Sequence, residues 1–330
     1  MPEPTPIFAS LTRISDLSSR PFGVSRTPRV QWATGDYVVG EVVAASRNSP
    51  IELATGRTTE VCVGDLVVGA LGVRSATLEA VGDWKQISDD GLMQALTAAG
   101  IFGRVTSISS FLADPIALHY RGHVVRNGRT VRMSDFVPPA DRSPTPLTCP
   151  VVLLIGTSMS SGKTTSARVI IRRLRQMGLR VVGCKLTGAG RYRDVLAMSD
   201  SGADAVFDFV DQGLASTVCD PELYRPRLRN LLGRIAAVAP DVVVAEAGAS
   251  PLEPYNGDTA MDELDGCVRC TVLCASDPYA VVGVTQGFGF QPDVVCGVAA
   301  STSAGVEVIK HLSGIEALNL LDRKSHPALD

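Results

Sequence analysis

Apolar residues follow two different patterns along the chain, and the change falls near residue 140. Before it the runs are short and punctuated by turn residues: GDYVVGEVVA, VCVGDLVVGAL, IFGRVTSI and HVVRNGRTVRM. Such runs predict strands. The last predicts a hairpin, because Asn127-Gly128 separates two alternating segments and both residues accept the positive φ of a tight turn. One short helix is predicted over 89–99. After residue 150 the runs become continuous and Val-rich: VVLLIG, VVGCKL, DVVVAEAG, CTVLCAS and VVCGVAAS. Helical stretches separate them, the first over 163–177. Strands apolar on both faces and alternating with helices predict a parallel sheet covered on both sides.

Between the two patterns lies VPPADRSPTPLTCP, rich in proline and without apolar periodicity, which reads as an extended linker. The expected division is an N-terminal arm (1–28), a β-rich barrel or sandwich domain (29–136), a Pro-rich linker (137–150) and an α/β domain (151–330).

Composition narrows the function. Of 330 residues, 45% are hydrophobic and 20% charged, which fits a globular chain. A net charge of −3 and 5% aromatics argue against a nucleic-acid binder. No run is long enough to span a membrane, and the first residues lack the basic-then-apolar order of a secretory signal. Eight cysteines are too sparse for a disulfide scaffold, so a cytoplasmic, reduced protein is expected. Cys267 and Cys270 form a CxxC, but no second pair follows, and they read as strand thiols rather than zinc ligands. The histidines, His119, His123, His311 and His326, show no ligand spacing. His119 and His123 are expected on one strand face, as ordinary surface or hairpin residues. Arg121, Arg126, Arg129 and Arg132 read as a solvated basic hairpin.

The strongest motif is Gly156-Thr157-Ser158-Met159-Ser160-Ser161-Gly162-Lys163-Thr164-Thr165, placed between a predicted strand and a predicted helix. That context is what a phosphate-binding loop requires. Glycines let backbone N–H groups approach a polyphosphate, and the helix N-terminus adds its positive dipole end. Gly156, Thr157, Ser160, Ser161, Gly162, Lys163, Thr164 and Thr165 are the candidate nucleotide-binding residues. Lys163 would reach the β- and γ-phosphates, and Thr164 would place its hydroxyl on Mg²⁺. The fold class is therefore a P-loop NTPase with a mostly parallel sheet, plus the N-terminal β-rich domain.

Five residues separate the two glycines, where the common loop has four. This spacing resembles the loop of dethiobiotin synthetase (GTDTxxGKT) and that of cobyrinic acid a,c-diamide synthases (GTxSxxGKT). VVGCKLTGAG and DVVVAEAGAS resemble two further segments of that branch. The resemblance covers roughly residues 150–300. It implies that Lys185 faces substrate and phosphates and that Glu246 lies near Mg²⁺ and substrate. The chain departs from the synthetase at Ser158, where the family has Asp, and at Leu186, where it has Pro. These departures argue against dethiobiotin formation itself.

The polar stretch after Lys185 carries the remaining candidates, because ligands of parallel sheets bind beyond the strands' carboxyl ends. Thr187, Gly188, Arg191 and Arg193 are expected on the substrate side. Asp194, Asp200 and Asp204 are alternatives for the metal, with Asp200 taken alongside Thr164 and Glu246. Asp208 and Asp211 read as solvated charges. Asn256 and Asp258 are either substrate contacts or turn residues, and Thr285-Gln286-Gly287 reads as a mobile loop. Ser301 and Thr302 end a late strand where the branch often recognises the base, and the absence of an NKxD motif favours ATP over GTP. The expected activity is ATP- and Mg²⁺-dependent transfer of the γ-phosphoryl group to a small anionic acceptor, as a kinase or acyl-phosphate ligase. Lys163, Lys185 and Glu246 would be the catalytic groups. The alternative is a nucleotide-switch NTPase for cofactor or metal delivery, similar to MobB. By resemblance the chain forms a homodimer. No nucleic-acid or membrane partner is expected.

Overall fold

The computed structural model describes residues 5–45, 50–139, 146–322 and 324. Residues 140–145 of the expected linker, and His326, lie outside them. The chain forms two compact units. The first takes in Met1–Pro139, Ala189–Arg193 and Phe209–Val218. The second takes in Ala140–Gly188, Asp194–Asp208 and Cys219–Asp330.

The first unit holds β1 (Ile7–Phe8), β2 (Gly23–Ser25), β3 (Tyr37–Ala44), β4 (Ile51–Glu52), β5 (Thr58–Thr59) and β6 (Leu66–Leu71). It continues with β7 (Val73–Ser75), β8 (Ala80–Asp83), β9 (Leu92–Ala95), β10 (Ile101–Ile108), β11 (Ala117–Arg126) and β12 (Arg129–Thr130). Five of these close on themselves: β3 pairs with β6, β6 with β10, β10 with β9, β9 with β11 and β11 with β3. The β-rich part is thus a barrel, and closure removes the free edges that a sheet of this size would otherwise expose. Val38, Val42, Val67, Leu71, Met93, Phe102 and Leu118 pack in its core. Gly69 sits where a Cβ would collide with the Gly100 carbonyl and the Phe102 ring, so only glycine lets the chains approach there.

The helix predicted over 89–99 is instead the turn into β9. Its backbone groups pair with β10 and β11, and Met93 points fully into the core. A stretch this short cannot nucleate a helix against a barrel that pairs with it on both sides. Residues of the expected arm are built into the unit. β1 pairs with β6, β2 pairs with β11, and Tyr37 donates its hydroxyl to the Leu11 carbonyl at 2.9 Å. The hairpin forms as the dipeptide predicted, with Asn127 at φ 51° and Gly128 at φ 73°.

His123 departs from the surface reading for a clear reason. The register of β11 against β3 slips between Tyr120 and Gly122, so that His119 lies opposite Glu41 and His123 opposite Val38. A one-residue bulge moves later side chains to the other face. His123 is therefore fully buried. Its Nδ1 meets the Tyr120 hydroxyl at 2.5 Å, and its Nε2 lies 3.3 Å from Asp36. Asp36, also fully buried, accepts from Arg132 Nε at 2.8 Å and from the Ala33 amide at 2.7 Å. The basic hairpin is likewise paired rather than merely solvated: Arg121 meets Glu41, and Arg126 meets Asp16 at 2.9 Å.

The stretch 189–193 has its own anchor in this unit. The buried Glu52 carboxylate accepts the Tyr192 and Arg193 amides, each at 2.8 Å. These amides open a helix, where a carboxylate is favoured. Asp211 pairs with Arg13 at 3.0 Å, so it too is a structural charge.

The second unit holds β13 (Val151–Gly156), β14 (Val181–Thr187), β15 (Ala205–Asp208), β16 (Val242–Ala247), β17 (Val268–Cys274) and β18 (Val294–Cys296). They form a six-stranded sheet in the order β15-β14-β16-β13-β17-β18, parallel throughout. Its helices are α1 (Lys163–Gln176), α2 (Tyr192–Ser199, begun in the first unit), α3 (Pro221–Ala237), α4 (Gly257–Glu263), α5 (Pro278–Phe288) and α6 (Ser303–Ser313). Ala167, Ile170 and Ile171 of α1 pack on Val181 and Val244, as the apolar period of that helix predicts. Thr285-Gln286-Gly287, expected as a mobile loop, lies inside α5. Asp277 caps that helix through the Tyr279 and Ala280 amides, Pro278 opens it, and Gly289 at φ 73° ends it. No described helix is long and apolar enough to cross a membrane.

Asp36 gives the test of the barrel. Asp36→Ala removes a fully buried carboxylate that accepts from Arg132 and from the half-buried Ala33 amide and lies 3.3 Å from the buried His123 ring, and is expected to lower unfolding free energy by about 3 kcal/mol. Asp16→Ala, which breaks a half-buried pair with Arg126 and a pair with the exposed Arg20, is expected to cost about 1 kcal/mol. Urea unfolding of both variants measures the contrast.

Candidate functional site

The second unit carries the site. β13 ends at Gly156, and α1 begins at Lys163. Between them the backbone turns through left-handed conformations at Ser160 (φ 61°) and Gly162 (φ 105°). Successive amides in such turns form a concave nest for anions, and the first turn of α1 extends it. Lys163 folds back beneath the loop and is buried. Its Nζ donates to the Ser158 carbonyl at 2.8 Å and to Ser161 Oγ at 3.4 Å. Gly156 makes room for it: a Cβ there would overlap Lys163 Nζ and lie 2.7 Å from Ser161 Oγ. The loop is braced from behind by Val298, whose amide donates to the Ser161 carbonyl at 3.2 Å. Thr157 Oγ1 accepts from the Ser276 amide at 3.0 Å, while Ser160 and Thr165 are exposed.

A row of ionisable groups crosses the sheet beside the loop. In the parallel register Lys185 of β14 lies opposite Asp208 of β15 on one side and Glu246 of β16 on the other. Glu246 lies opposite Leu154 of the loop's own strand. All three charged residues are buried. Lys185 Nζ meets Asp194 Oδ2, from the first turns of α2, at 2.5 Å. Thr164 donates its hydroxyl to Glu246 Oε2 at 3.0 Å.

These neighbours shift one another. Burial lowers the Lys163 pKa, against the pull of Glu246. Burial raises that of Glu246, and the Asp194 charge adds to it, against Lys185 and Lys163. At Lys185 burial works downward, but Asp194 and Glu246 outweigh it and the ammonium is favoured. The cluster thus holds two lysines and three carboxylates, all buried but Asp194, which is half-buried. A hydroxyl and a carboxylate at hydrogen-bond distance are hard oxygen donors of the kind Mg²⁺ takes, so Thr164 and Glu246 suit that ion.

The other expected site residues fall as follows. Thr187 is buried, and its hydroxyl donates to the Gly248 carbonyl at 3.1 Å. Gly188 adopts φ 123°, and a Cβ on it would crowd Lys185 Cε at 3.3 Å. Of the three candidate aspartates only Asp194 stands in the cluster. Asp200, expected beside the metal, lies beyond the last residue of α2 and is exposed, six residues or about 9 Å of helix from Asp194. Asp204 accepts from Arg175 at 2.8 Å and from the Val181 amide at 2.7 Å. Arg191 and Arg193 are exposed and belong to the first unit. Asn256 is a turn residue at φ 59° whose amide donates to the Cys219 carbonyl at 3.0 Å, and Thr302 caps α6. Among the described residues no group of three or more His, Cys, Asp or Glu is arranged to hold a metal by itself.

Asp208, which the sequence reads as a solvated charge because its neighbours resemble a polar connection, is instead buried at the end of β15. The signal that finds it is its position as the last residue of a short apolar run, AVFD, which is the ligand-facing end of a parallel strand.

No family model matches the chain, and no curated protein matches it. Solved structures do. The hydrogenase maturation factor HypB from Archaeoglobus fulgidus is 18% identical, with 55% of this chain covering 86% of that one at a TM-score of 0.37. Chloroplast FtsY from Physcomitrella patens is 12% identical, with 56% of this chain covering 62% of that one at 0.36. A DUF1611 family protein from Anabaena variabilis is 16% identical, with 59% of this chain covering 62% of that one at 0.34. The chain therefore spans less than two thirds of the latter two. Likenesses this distant carry no functional argument. The P-loop nucleotide-binding fold is established by the strand, loop and helix of the second unit.

The Lys185–Asp194 pair is testable by itself. Asp194→Asn leaves a buried ammonium short of its partner and is expected to cost about 2–4 kcal/mol. Replacing both, as Lys185→Met with Asp194→Leu, is expected to recover at least half of that. A double-mutant cycle in urea measures the coupling.

Proposed function

We propose that the second unit binds a nucleoside triphosphate with Mg²⁺ and transfers its γ-phosphoryl group to a small anionic acceptor. One observation supports this most strongly: a second buried lysine, Lys185, stands in the same charged cluster as the loop lysine and is held there by Asp194. Binding of the phosphates alone calls for the loop amides and Lys163. A further fixed cation suits a reaction in which negative charge gathers between a nucleotide and an anionic acceptor.

The residues divide the work. The amides of residues 157–164 and the N-terminus of α1 would cradle the phosphates. Lys163 would exchange the Ser158 carbonyl for phosphate oxygens. Thr164 and Glu246 would hold Mg²⁺, which when bound supplies charge neutralisation to the phosphates. Lys185 would bind the acceptor's carboxylate or hydroxyl oxygen. That oxygen forms the new bond to the γ-phosphorus as the bond to the bridging oxygen breaks, the nucleoside diphosphate leaves, and an acceptor hydroxyl gives up its proton to water. Little covalent chemistry falls to the protein, and catalysis is positioning plus electrostatics. ATP is the expected nucleotide, with GTP as the comparison.

Turnover of ATP and GTP with Mg²⁺, with and without a panel of small carboxylic and amino acids, tests the reading. Stimulation by one compound is expected. Lys163→Ala should abolish nucleotide turnover. Lys185→Met should lower acceptor-stimulated turnover about 100-fold or more while leaving nucleotide affinity within about threefold. Thr164→Val should raise the Mg²⁺ concentration needed for half-maximal rate about tenfold. Tight nucleotide binding with slow hydrolysis that no acceptor stimulates would overturn the transfer reading and favour a nucleotide switch acting through a protein partner.

A further inference from the structure

Glu52 of β4 is a carboxylate buried in the first unit, 1% exposed. Such burial is costly unless donors or a cation match the charge. Donors match it here. The Tyr192 amide bonds one oxygen and the Arg193 amide the other, each at 2.8 Å, and the Ser10 hydroxyl adds a third bond. The backbone of Glu52 is fixed as well, since its amide donates to the Ala98 carbonyl at 2.8 Å. The Tyr192 and Arg193 amides lie in the first turn of α2, where they have no partner within the helix. The residue before a helix usually supplies that partner, through a Ser, Thr, Asp or Asn side chain. Arg191 stands there, and a guanidinium accepts no hydrogen bond. With eight residues, α2 is also too short to hold its own start. The residue that follows the two amides is Asp194, whose carboxylate meets Lys185 Nζ at 2.5 Å. Glu52 and the two amides belong to the first unit, Asp194 and Lys185 to the second, and α2 carries the chain from one to the other.

We propose that Glu52 is a positioning residue for the nucleotide site: by fixing the first turn of α2 it fixes the Asp194 carboxylate, and with it the place of the Lys185 ammonium. Glu52 itself touches no substrate. Starting α2 one residue later or earlier would turn Asp194 by about 100° around the helix axis and take it off Lys185. A buried carboxylate that only capped a short helix would be an expensive device, and one that sets the geometry of a reacting cluster has a reason to persist. The kinetic consequence rests on Lys185 being the group that binds the acceptor, whereas the coupling from Glu52 to Lys185 does not.

Glu52→Gln tests it, since it keeps the side chain's size and sets an NH₂ donor against one of the helix amides. Two readouts on the full chain, at a temperature where every variant is folded, separate the coupling from the reaction. The first is the rate of reductive methylation of Lys185, followed by peptide mass spectrometry. Burial and Asp194 keep that rate low in the parent chain, and Glu52→Gln is expected to raise it about fivefold or more. The second is acceptor-stimulated nucleotide turnover, whose kcat/KM for the acceptor is expected to fall about tenfold or more while nucleotide affinity stays within about twofold. In an Asp194→Asn chain, adding Glu52→Gln is expected to change either readout by less than about twofold, because the route through Asp194 is already cut. Asp36→Ala destabilises the barrel but shares no hydrogen bond with Glu52, and is expected to leave both readouts within about twofold of the parent chain. Should Glu52→Gln not fold, Tyr192→Pro keeps the carboxylate and removes one of its amides at a first helical position that tolerates proline, and is expected to act in the same direction. Unchanged Lys185 labelling in the folded Glu52→Gln chain would overturn the proposal. So would equal acceleration in Asp36→Ala, or a full Glu52→Gln effect in the Asp194→Asn chain. Faster labelling confined to the anchor variants, with no acceptor found that stimulates turnover, would uphold the coupling and overturn the transfer reading alone.

Discussion

Ionised groups leave water only where each finds an opposite charge or a set of hydrogen bonds, and the second unit is arranged around that constraint. Lys163, Lys185, Asp208 and Glu246 are all buried at the carboxyl end of one sheet. None of them would be tolerated there alone. The parallel register solves the problem by setting Asp208, Lys185 and Glu246 side by side on adjacent strands, with alternating sign. Asp194 adds a fourth charge from α2, and Thr164 adds a hydroxyl from α1. The strand bearing Glu246 must lie next to the strand that feeds the loop, and it does. In the barrel the same constraint operates on a smaller scale, where the buried Asp36 gathers His123, Arg132 and a backbone amide.

The sequence made some of this legible and hid the rest for physical reasons. Periodicity marked the parallel strands because strands buried on both faces have no polar positions to confuse the pattern. The loop was legible because its chemistry requires glycines and a lysine at set positions and admits few substitutes. The hairpin at Asn127-Gly128 was legible because few residue pairs accept those dihedrals. β9 was hidden because a four-residue strand carries too little pattern to outweigh helix-forming neighbours such as Leu96 and Ala98. His123 was hidden because a bulge has no composition of its own. It shifts the facing of every later residue while leaving the sequence periodic.

The site showed the same division. Which residues carry charge was plain, but which of three aspartates reaches Lys185 depended on where α2 begins. The Tyr192 and Arg193 amides at that start are bonded to Glu52, 140 residues earlier in the chain. A contact of such separation has no local signal. The same anchor accounts for Ala189–Arg193 belonging with the barrel, although the stretch is flanked by residues of the α/β unit.

Part of the strained backbone lies at the site. Among the described residues five non-glycine positions take positive φ, and Ser160 and Ala249 flank the buried cluster. Left-handed Ser and Ala cost free energy that the surrounding packing must offset, and such positions persist where the backbone path matters more than local comfort. Here the path leaves Lys163 bonded to the loop's own Ser158 carbonyl. That bond means the ammonium is already desolvated and already positioned. A phosphate arriving at the loop exchanges one oxygen acceptor for another rather than drawing the lysine out of water. The largest desolvation cost of binding is met during folding, which is what preorganisation means in energetic terms.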